Sequence, residues 1–188
     1  MDRESIVLGS GELYITEFTD GSELPKKETV ETPENLLGHI SGGCTLEYKP
    51  EYYTAKDDLG KVSKTILTEE EALLKSGVIT WCGETLAKLC DTARVSTAGN
   101  IRTVKIGGVG NQTHKKYYIH FVHKDEEDGD IRVSIVGNNQ AGFSFAFAKD
   151  EATTIDVEFK AHPMDKEGTL ICYEEEIDPG ASPEAAHA

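Results

Sequence analysis

Residues 155–160 have the sequence Ile-Asp-Val-Glu-Phe-Lys, in which apolar and charged side chains alternate without a break. Successive side chains of a strand point to opposite faces, so this stretch predicts a strand with one buried and one solvated face. The same alternation occurs at residues 117–122, 131–135 and 44–49. The chain therefore predicts a mainly β protein.

Further strands are expected at residues 12–18, 61–81, 143–148 and 170–176. Residues 85–95 predict the one helix, because their apolar side chains recur at intervals of three and four and share a face: Leu86, Leu89, Cys90 and Ala93. Seven or eight strands and one helix predict a mainly β (α+β) fold. We expect two packed antiparallel β-sheets, a sandwich or flattened barrel, with one flanking α-helix.

The pattern divides the chain into three parts. Residues 1–38 predict an N-terminal arm and loop, residues 39–177 the β-sandwich domain, and residues 178–188 a disordered C-terminal tail. Within the domain, residues 50–60 predict an extended loop that ends in the turn Asp57-Asp58-Leu59-Gly60.

The composition is strongly acidic, with 34 Asp and Glu against 19 Lys and Arg and a net charge of −15. Proteins that bind nucleic acid through its phosphates need clustered basic residues, so this balance argues against that class. No apolar run approaches the roughly 18 residues of a membrane span, and we expect neither a membrane segment nor a signal peptide. The four cysteines are expected to be reduced thiols: Cys44, Cys82, Cys90 and Cys172.

The motifs that resemble reactive sites lack the residues that their chemistry needs. Residues 107–112 are Gly-rich but lack the Lys and Ser/Thr of a phosphate-binding loop. The acidic turn at residues 125–130 has Ile135 where a calcium loop needs a Glu. His120 and His123 are expected on opposite faces of one strand. The sequence predicts a protein that is not an enzyme, with no catalytic residue, metal site or cofactor. Replacing His120 or Asp128 with Ala is expected to leave assembly largely intact.

Three stretches, taken in order, resemble major tail tube proteins of long-tailed phages with non-contractile (siphovirus-type) tails. The first is Gly42-Gly43-Cys44-Thr45-Leu46-Glu47-Tyr48-Lys49-Pro50-Glu51-Tyr52-Tyr53 followed by Asp57-Asp58-Leu59-Gly60-Lys61-Val62. The second is residues 71–81, Glu-Ala-Leu-Leu-Lys-Ser-Gly-Val-Ile-Thr-Trp, and the third is residues 159–170, Phe-Lys-Ala-His-Pro-Met-Asp-Lys-Glu-Gly-Thr-Leu. The resemblance covers roughly residues 36–177.

The resemblance implies the tail tube fold and a structural role in the virion. Hexameric rings would stack into a hollow tube, assembled in the host bacterial cytoplasm, through which the genome DNA passes without specific binding. The implied partners are other copies of the chain, the tape measure protein, the tail terminator and the baseplate or tail-tip proteins, with no membrane and no cofactor.

Other classes stay open at this point. A tube protein of a contractile tail or of a bacterial secretion system would share the fold. A β-sandwich module that binds carbohydrate or a surface would show an exposed aromatic platform, whereas this chain has a single Trp, Trp81. A scaffolding or adaptor protein would fit the composition alone.

The tube interpretation predicts two groups of contact residues. Charged positions opposite an apolar strand face are predicted to line the lumen: Glu47, Asp156, Glu158, Glu69 and Glu71. Like charge between that wall and phosphate would let DNA slide. The loop at residues 50–60 is predicted to connect rings through Tyr53, Lys56, Asp57, Asp58 and Leu59. Which sheet faces the lumen stays open.

Overall fold

The computed structural model describes residues 9–177 except 22, 127, 146, 148 and 151. The predicted mainly β class is confirmed, because strands account for most of the ordered elements. The elements in chain order are β1 Glu12–Phe18, α1 Lys27–Val30, β2 Leu36–Gly38, β3 Ile40–Lys56, β4 Ser63–Val78, α2 Gly83–Leu89, β5 Arg94–Ala98, β6 Ile101–Lys105, a 3-10 turn Val109–Asn111, β7 Lys116–His123, β8 Ile131–Asn139, β9 Ile155–His162 and β10 Cys172–Glu175.

Eight of the described strands form one antiparallel sheet in the order β2-β1-β7-β8-β9-β4-β3, with β10 added beside β8. Along one edge, β8 pairs β10 through its first half and β9 through its second. Gly137 lies next to this change of partner, where an added Cβ would lie 2.1 Å from the backbone oxygen of Lys160. Strands β5 and β6 form a separate two-stranded hairpin.

The main core lies on one face of the large sheet. Leu13, Ile15, Ile119 and Phe159 are at most 1% exposed and belong to strands that run side by side across it. The helix α2 covers this face with Leu89, and Trp81, Phe143 and Phe145 pack at its margin. Burial of these side chains is the main stabilising contribution, at about 25 cal/mol per Å² of apolar surface.

A smaller apolar cluster lies on the opposite face, under α1 and the segment that follows β9. It contains Tyr14, Phe18, Val30, Tyr118, Val122, Val136 and Met164. The sheet is therefore buried on both faces near β1, β7 and β8, whereas the outer parts of β3 and β4 are covered on neither.

The predicted barrel is wrong: the described strands form one open sheet and a hairpin. The apolar face that was expected to meet a second sheet is covered instead by α2 and by aromatic side chains outside any strand. The predicted strand at residues 143–148 is one of these, because its described residues are irregular and Phe145 stacks on Trp81 with ring centroids 5.0 Å apart.

The predicted helix at residues 85–95 is shorter and begins earlier, at Gly83, and it ends at Leu89. Cys90 has extended backbone angles, and the Asp91 carboxylate accepts hydrogen bonds from the backbone N–H groups of Thr113 and His114. These contacts fix the chain after α2 and direct it into β5, so the apolar spacing at residues 90–93 does not produce another helical turn.

Two predicted boundaries are also corrected. Residues 12–38 are not a detached arm, because β1 lies inside the sheet between β2 and β7. Residues 50–56 are not a loop but the outer part of β3, which pairs β4 as far as Lys56 opposite Ser63. The long strand predicted at residues 61–81 is confirmed as β4. The predicted tail at residues 178–188 lies outside the described residues.

Replacing a core residue of β9 should cost far more stability than replacing its exposed neighbour. Val157 is 2% exposed, so Val157→Asp places a charge in the core and should lower the free energy of unfolding by about 3–5 kcal/mol. The control Asp156→Ser, at an exposed position, should change it by less than about 0.5 kcal/mol. Urea unfolding of both variants measures the difference, and equal midpoints would refute the assignment of the two faces.

Candidate assembly surfaces

The most exposed feature of the molecule is the outer part of the β3–β4 hairpin. Strand β4 pairs β9 only from Leu73 to Val78, so its first part has β3 as its only neighbour. Every residue from 51 to 70 is exposed. We call residues 51–70 the projecting hairpin. At about 3.4 Å per residue, its strands extend roughly 25 Å beyond the body of the protein.

The tip of the projecting hairpin is a well-defined turn. The N–H of Gly60 donates to the backbone oxygen of Asp57 over 2.9 Å, and the N–H of Val62 donates to the Asp57 carboxylate over 2.7 Å. Gly60 has a φ of +67°, which disfavours residues with a side chain. The residues predicted as ring contacts all lie in this outer portion: Tyr53 and Lys56 on β3, and Asp57, Asp58 and Leu59 in the turn.

Both faces of the projecting hairpin carry exposed apolar side chains. Tyr52 pairs Leu67, and the adjacent residues Tyr53 and Ile66 pair with each other and point to the opposite side. Tyr52 and Tyr53 are 63% and 60% exposed. An isolated two-stranded hairpin is at best marginally stable in water, and apolar side chains on two faces cannot both be covered by the hairpin itself. Apolar side chains therefore stay exposed on both faces of this segment in the isolated chain.

The five predicted lumen residues lie on one face of the sheet. The register of the three strands places Glu47 of β3, Glu69 and Glu71 of β4, and Asp156 and Glu158 of β9 on the same face. The side chains that flank Asp156 and Glu158 are buried, whereas Leu46 and Tyr48 beside Glu47 are 38% and 49% exposed. Lysines interleave with these carboxylates. We call the part of this face within the body, around Glu47, Glu71, Asp156 and Glu158, the charged face.

Ion pairs order the charged face. The ammonium of Lys75 contacts Glu47 over 3.0 Å and Glu158 over 3.1 Å, and that of Lys160 contacts Glu71 over 2.7 Å. Hydrogen bonds from Lys49 and Lys75 lower the pKa of Glu47, and the hydrogen bond from Lys160 lowers the pKa of Glu71. The face is thus a lattice of alternating charge in which acidic groups outnumber basic ones.

One pair of carboxylates on the projecting hairpin stands apart from that lattice. Glu51 and Glu69 are directly opposite each other across β3 and β4, next to the point where the register shifts between Glu51 and Tyr52. Neither forms an ion pair with any described residue. Like charges at opposed positions of a strand pair are destabilising.

One region of the chain contains basic residues but no acidic ones. Residues 92–124 contain six Lys and Arg and no Asp or Glu, although the whole chain has 19 and 34. The β5–β6 hairpin lies in this region, and we call it the basic hairpin. One of its faces packs on α2, where Arg102 pairs Glu84 over 2.8 Å. Its other face carries Arg94 and Lys105, which are exposed and directly opposite each other.

Sequence reasoning missed the basic hairpin because it considered net charge and not its distribution along the chain. The absence of acidic residues over 33 positions is visible in the sequence and would have identified this region. It also missed Glu51, whose opposition to Glu69 depends on the register of a bulged strand pair.

A buried polar cluster joins three distant parts of the chain. His120 shares one hydrogen bond of 2.7 Å with Ser134 and another of 3.2 Å with Glu31. The guanidinium of Arg132 donates to Glu31, Asp130 and Glu176 over 2.8, 2.6 and 2.9 Å. His120 is 1% exposed and bonded at both ring nitrogens, so we expect its replacement to lower stability, while its effect on assembly stays a prediction.

Ser134, His120 and Glu31 have the connectivity of a hydrolase triad, which no sequence motif indicated. Their burial decides against a catalytic interpretation, because Ser134 and His120 are 2% and 1% exposed and no substrate reaches the hydroxyl in this conformation. The carboxylate of Glu31 is also engaged by Arg132. We therefore interpret the cluster as structural.

In the part of the chain that the structure describes, no three His, Cys, Asp or Glu side chains are grouped in a way that could hold a metal ion. No helix in the same part is long and apolar enough to cross a membrane. Trp81 is stacked on Phe145 and its indole N–H donates to the backbone of Thr153, so it does not form an exposed aromatic platform.

Comparison with known proteins returned no relative. No protein-family model matches the chain, and no curated protein is significantly similar to it.

The buried cluster should make the fold sensitive to acid. Burial lowers the pKa of His120 below 6.5 despite its bond to Glu31. As the pH falls through about 6.5, this histidine is protonated more readily in the unfolded chain than in the folded one, so the free energy of unfolding decreases. Burial raises the pKa of Glu31, but hydrogen bonds from Arg132 and His120 outweigh it and lower the pKa below 4.5, so a second loss follows in stronger acid. Urea unfolding at pH 8, 6 and 4 should show both losses.

Two variants separate the contributions. His120→Gln should reduce the first loss relative to the parent, whereas His39→Gln, at an exposed position, should leave it in place. Arg132→Met leaves Glu31 without its main partner and should lower the free energy of unfolding by about 3 kcal/mol at pH 8. A stability independent of pH between 8 and 6 would contradict the role of His120.

Proposed function

We propose that this chain is the subunit of a phage tail tube, in which hexameric rings stack into a hollow tube that carries DNA. The observation that supports it most is the projecting hairpin, a fully exposed segment with apolar side chains on both faces. In a homopolymer, another copy of the chain lies near every projecting hairpin. We therefore assign a second copy as the partner that covers it.

The order of the resembling stretches supports the same proposal. The first stretch covers most of β3 and the turn of the projecting hairpin; the second covers the inner part of β4 and the residues after it; and the third covers the second half of β9 and the turn that follows. In the tail tube fold two sheets would pack across each other. In this chain the second layer would come from a neighbouring copy against the sheet regions that α1 and α2 leave uncovered.

The charged face is proposed as the wall of the lumen, with Glu47, Asp156 and Glu158 at its centre and Glu71 at its margin. The opposite faces of β9 and of the inner part of β4 are buried in the core, so the charged face is the side of these strands that is free to meet solvent or DNA. The lysines held in ion pairs with Glu47, Glu71 and Glu158 are already neutralised and offer phosphate weak attraction. Glu69 lies on the projecting hairpin, which we assign to contacts between copies.

Shortening the projecting hairpin tests the proposal. Deletion of residues 53–56 and 63–66 removes four facing pairs, and an even number keeps the alternation of the hydrogen-bond pattern into the turn. The parent protein should form rings or tubes in electron micrographs of purified material. The shortened variant should remain folded, with an unchanged urea midpoint for its body, and should form none.

The control keeps the full length of the hairpin and changes only two of its side chains. Thr54→Ser with Thr65→Ser preserves the 2.9 Å contact between the two hydroxyls and should assemble as the parent does. Long tubes from the shortened variant would contradict the role of the projecting hairpin. A parent protein that stays monomeric at high concentration would contradict the proposed function as a whole.

Reversal of charge tests the lumen assignment. Tubes of the double variant Asp156→Lys, Glu158→Lys should retain linear double-stranded DNA at about 50 mM salt and release it at about 500 mM, because the screening length of charge interactions decreases as the salt concentration rises. Parent tubes should retain none, and neither should a control with the same change in net charge, Glu34→Lys, Glu167→Lys. Passage of DNA through the variant without retention at low salt would remove the charged face from the lumen.

A further inference from the structure

The outward face of the basic hairpin has no partner in the described part of the chain. Arg94 lies opposite Lys105, and Ile101, on the same face, is 66% exposed. No described carboxylate pairs with either cation. The two positive charges repel each other across the strand pair, and a negative partner bound beside them would make the net electrostatic energy of the site favourable.

The projecting hairpin carries the complementary arrangement. Glu51 lies opposite Glu69, again as a pair of like charges on an exposed two-stranded hairpin without an ion-pair partner. Each of these pairs is unfavourable in the isolated chain. Their spacing is also matched, because in both cases the two charges are on directly opposed residues of neighbouring antiparallel strands.

We propose that these two pairs form one contact between copies: Arg94 and Lys105 of one copy bind Glu51 and Glu69 of the projecting hairpin of the next. The inference rests on the proposed self-assembly and specifies which surfaces meet. Ile101 on the basic hairpin and Tyr53, which shares the face of Glu51 on the projecting hairpin, supply the apolar part of the contact.

A second copy fits this surface better than nucleic acid does. Binding through phosphates needs several clustered cations, whereas this face presents two beside an exposed isoleucine on a chain of net charge −15. The projecting hairpin cannot fill the site of its own chain, because every residue from 51 to 70 is exposed.

The geometry of the contact determines the kind of assembly it produces. The projecting hairpin and the basic hairpin are different surfaces of one chain. Unless two copies exchange hairpins reciprocally about a two-fold axis, their contact is heterologous and leaves one free copy of each surface after every addition. Contacts of this type propagate until they close a ring or form an open filament. A pair of identical surfaces would stop at a dimer.

Charge exchange tests the inference. The double variant Arg94→Glu, Lys105→Glu and the double variant Glu51→Lys, Glu69→Lys should each raise the concentration at which rings or tubes form by about tenfold or more, or abolish them. The quadruple variant, which keeps the net charge of the parent, should assemble as the parent does. An equimolar mixture of the two double variants should also assemble, because each then offers the charge that the other lacks.

Sedimentation and electron microscopy provide the readout, with thermal unfolding of each variant as the check on folding. The control Lys149→Glu, Lys166→Glu has the same change in net charge as the first double variant and should assemble normally. Normal assembly of either double variant, or failure of the quadruple variant to recover, would overturn the inference while leaving the proposed function intact if the parent still forms tubes.

Two further results would also overturn it. Binding of linear DNA by the parent that is lost in Arg94→Glu, Lys105→Glu, with assembly unaffected, would assign the basic hairpin to nucleic acid. A parent that never assembles would remove the second copy as the occupant, and it would refute the proposed function in the same experiment.

Discussion

The difference in length between β4 and its neighbour β9 determines how the rest of the molecule is arranged. Strand β9 pairs only the last third of β4, and the remaining residues of β4 have β3 as their single partner. Backbone groups along the outer edges of β3 and β4 therefore have no strand beside them in the described chain. Open edges of this kind are places where another chain can add. A body held by two apolar clusters thus carries a segment that its own core does not stabilise.

The buried polar cluster compensates for the loose attachment of the elements around that body. Arg132 holds the end of α1, the turn before β8 and the residue after β10 through three carboxylates. None of these elements is long enough to be stable alone, since α1 has four residues and β10 has four. One guanidinium with fixed planar geometry replaces the packing that a longer helix or a second sheet would supply.

Alternation of side chains in the sequence predicted β7, β8 and β9 and their core residues, because a period of two is a local property of the chain. The same property placed Glu47, Glu69, Glu71, Asp156 and Glu158 on charged strand faces. The lysines among them, the opposition of Glu51 to Glu69 and the cluster around His120 depend on register between strands far apart in sequence, which no local pattern contains. The predicted helix extended too far, to residue 95, because its true end depends on Asp91, which binds backbone groups 22 and 23 residues away.

The position of β1 in the sheet has a consequence for synthesis. Of the described strands, β1 is synthesised first, yet its main partner is β7, about a hundred residues later. Leu13 and Ile15 must stay uncovered until β7 has emerged, and non-local pairing of this kind is slow to form. The projecting hairpin is closed by a short local turn and can form much sooner. A nascent chain therefore exposes the apolar side chains of the projecting hairpin before its body is complete, and apolar surface exposed during folding is prone to aggregation.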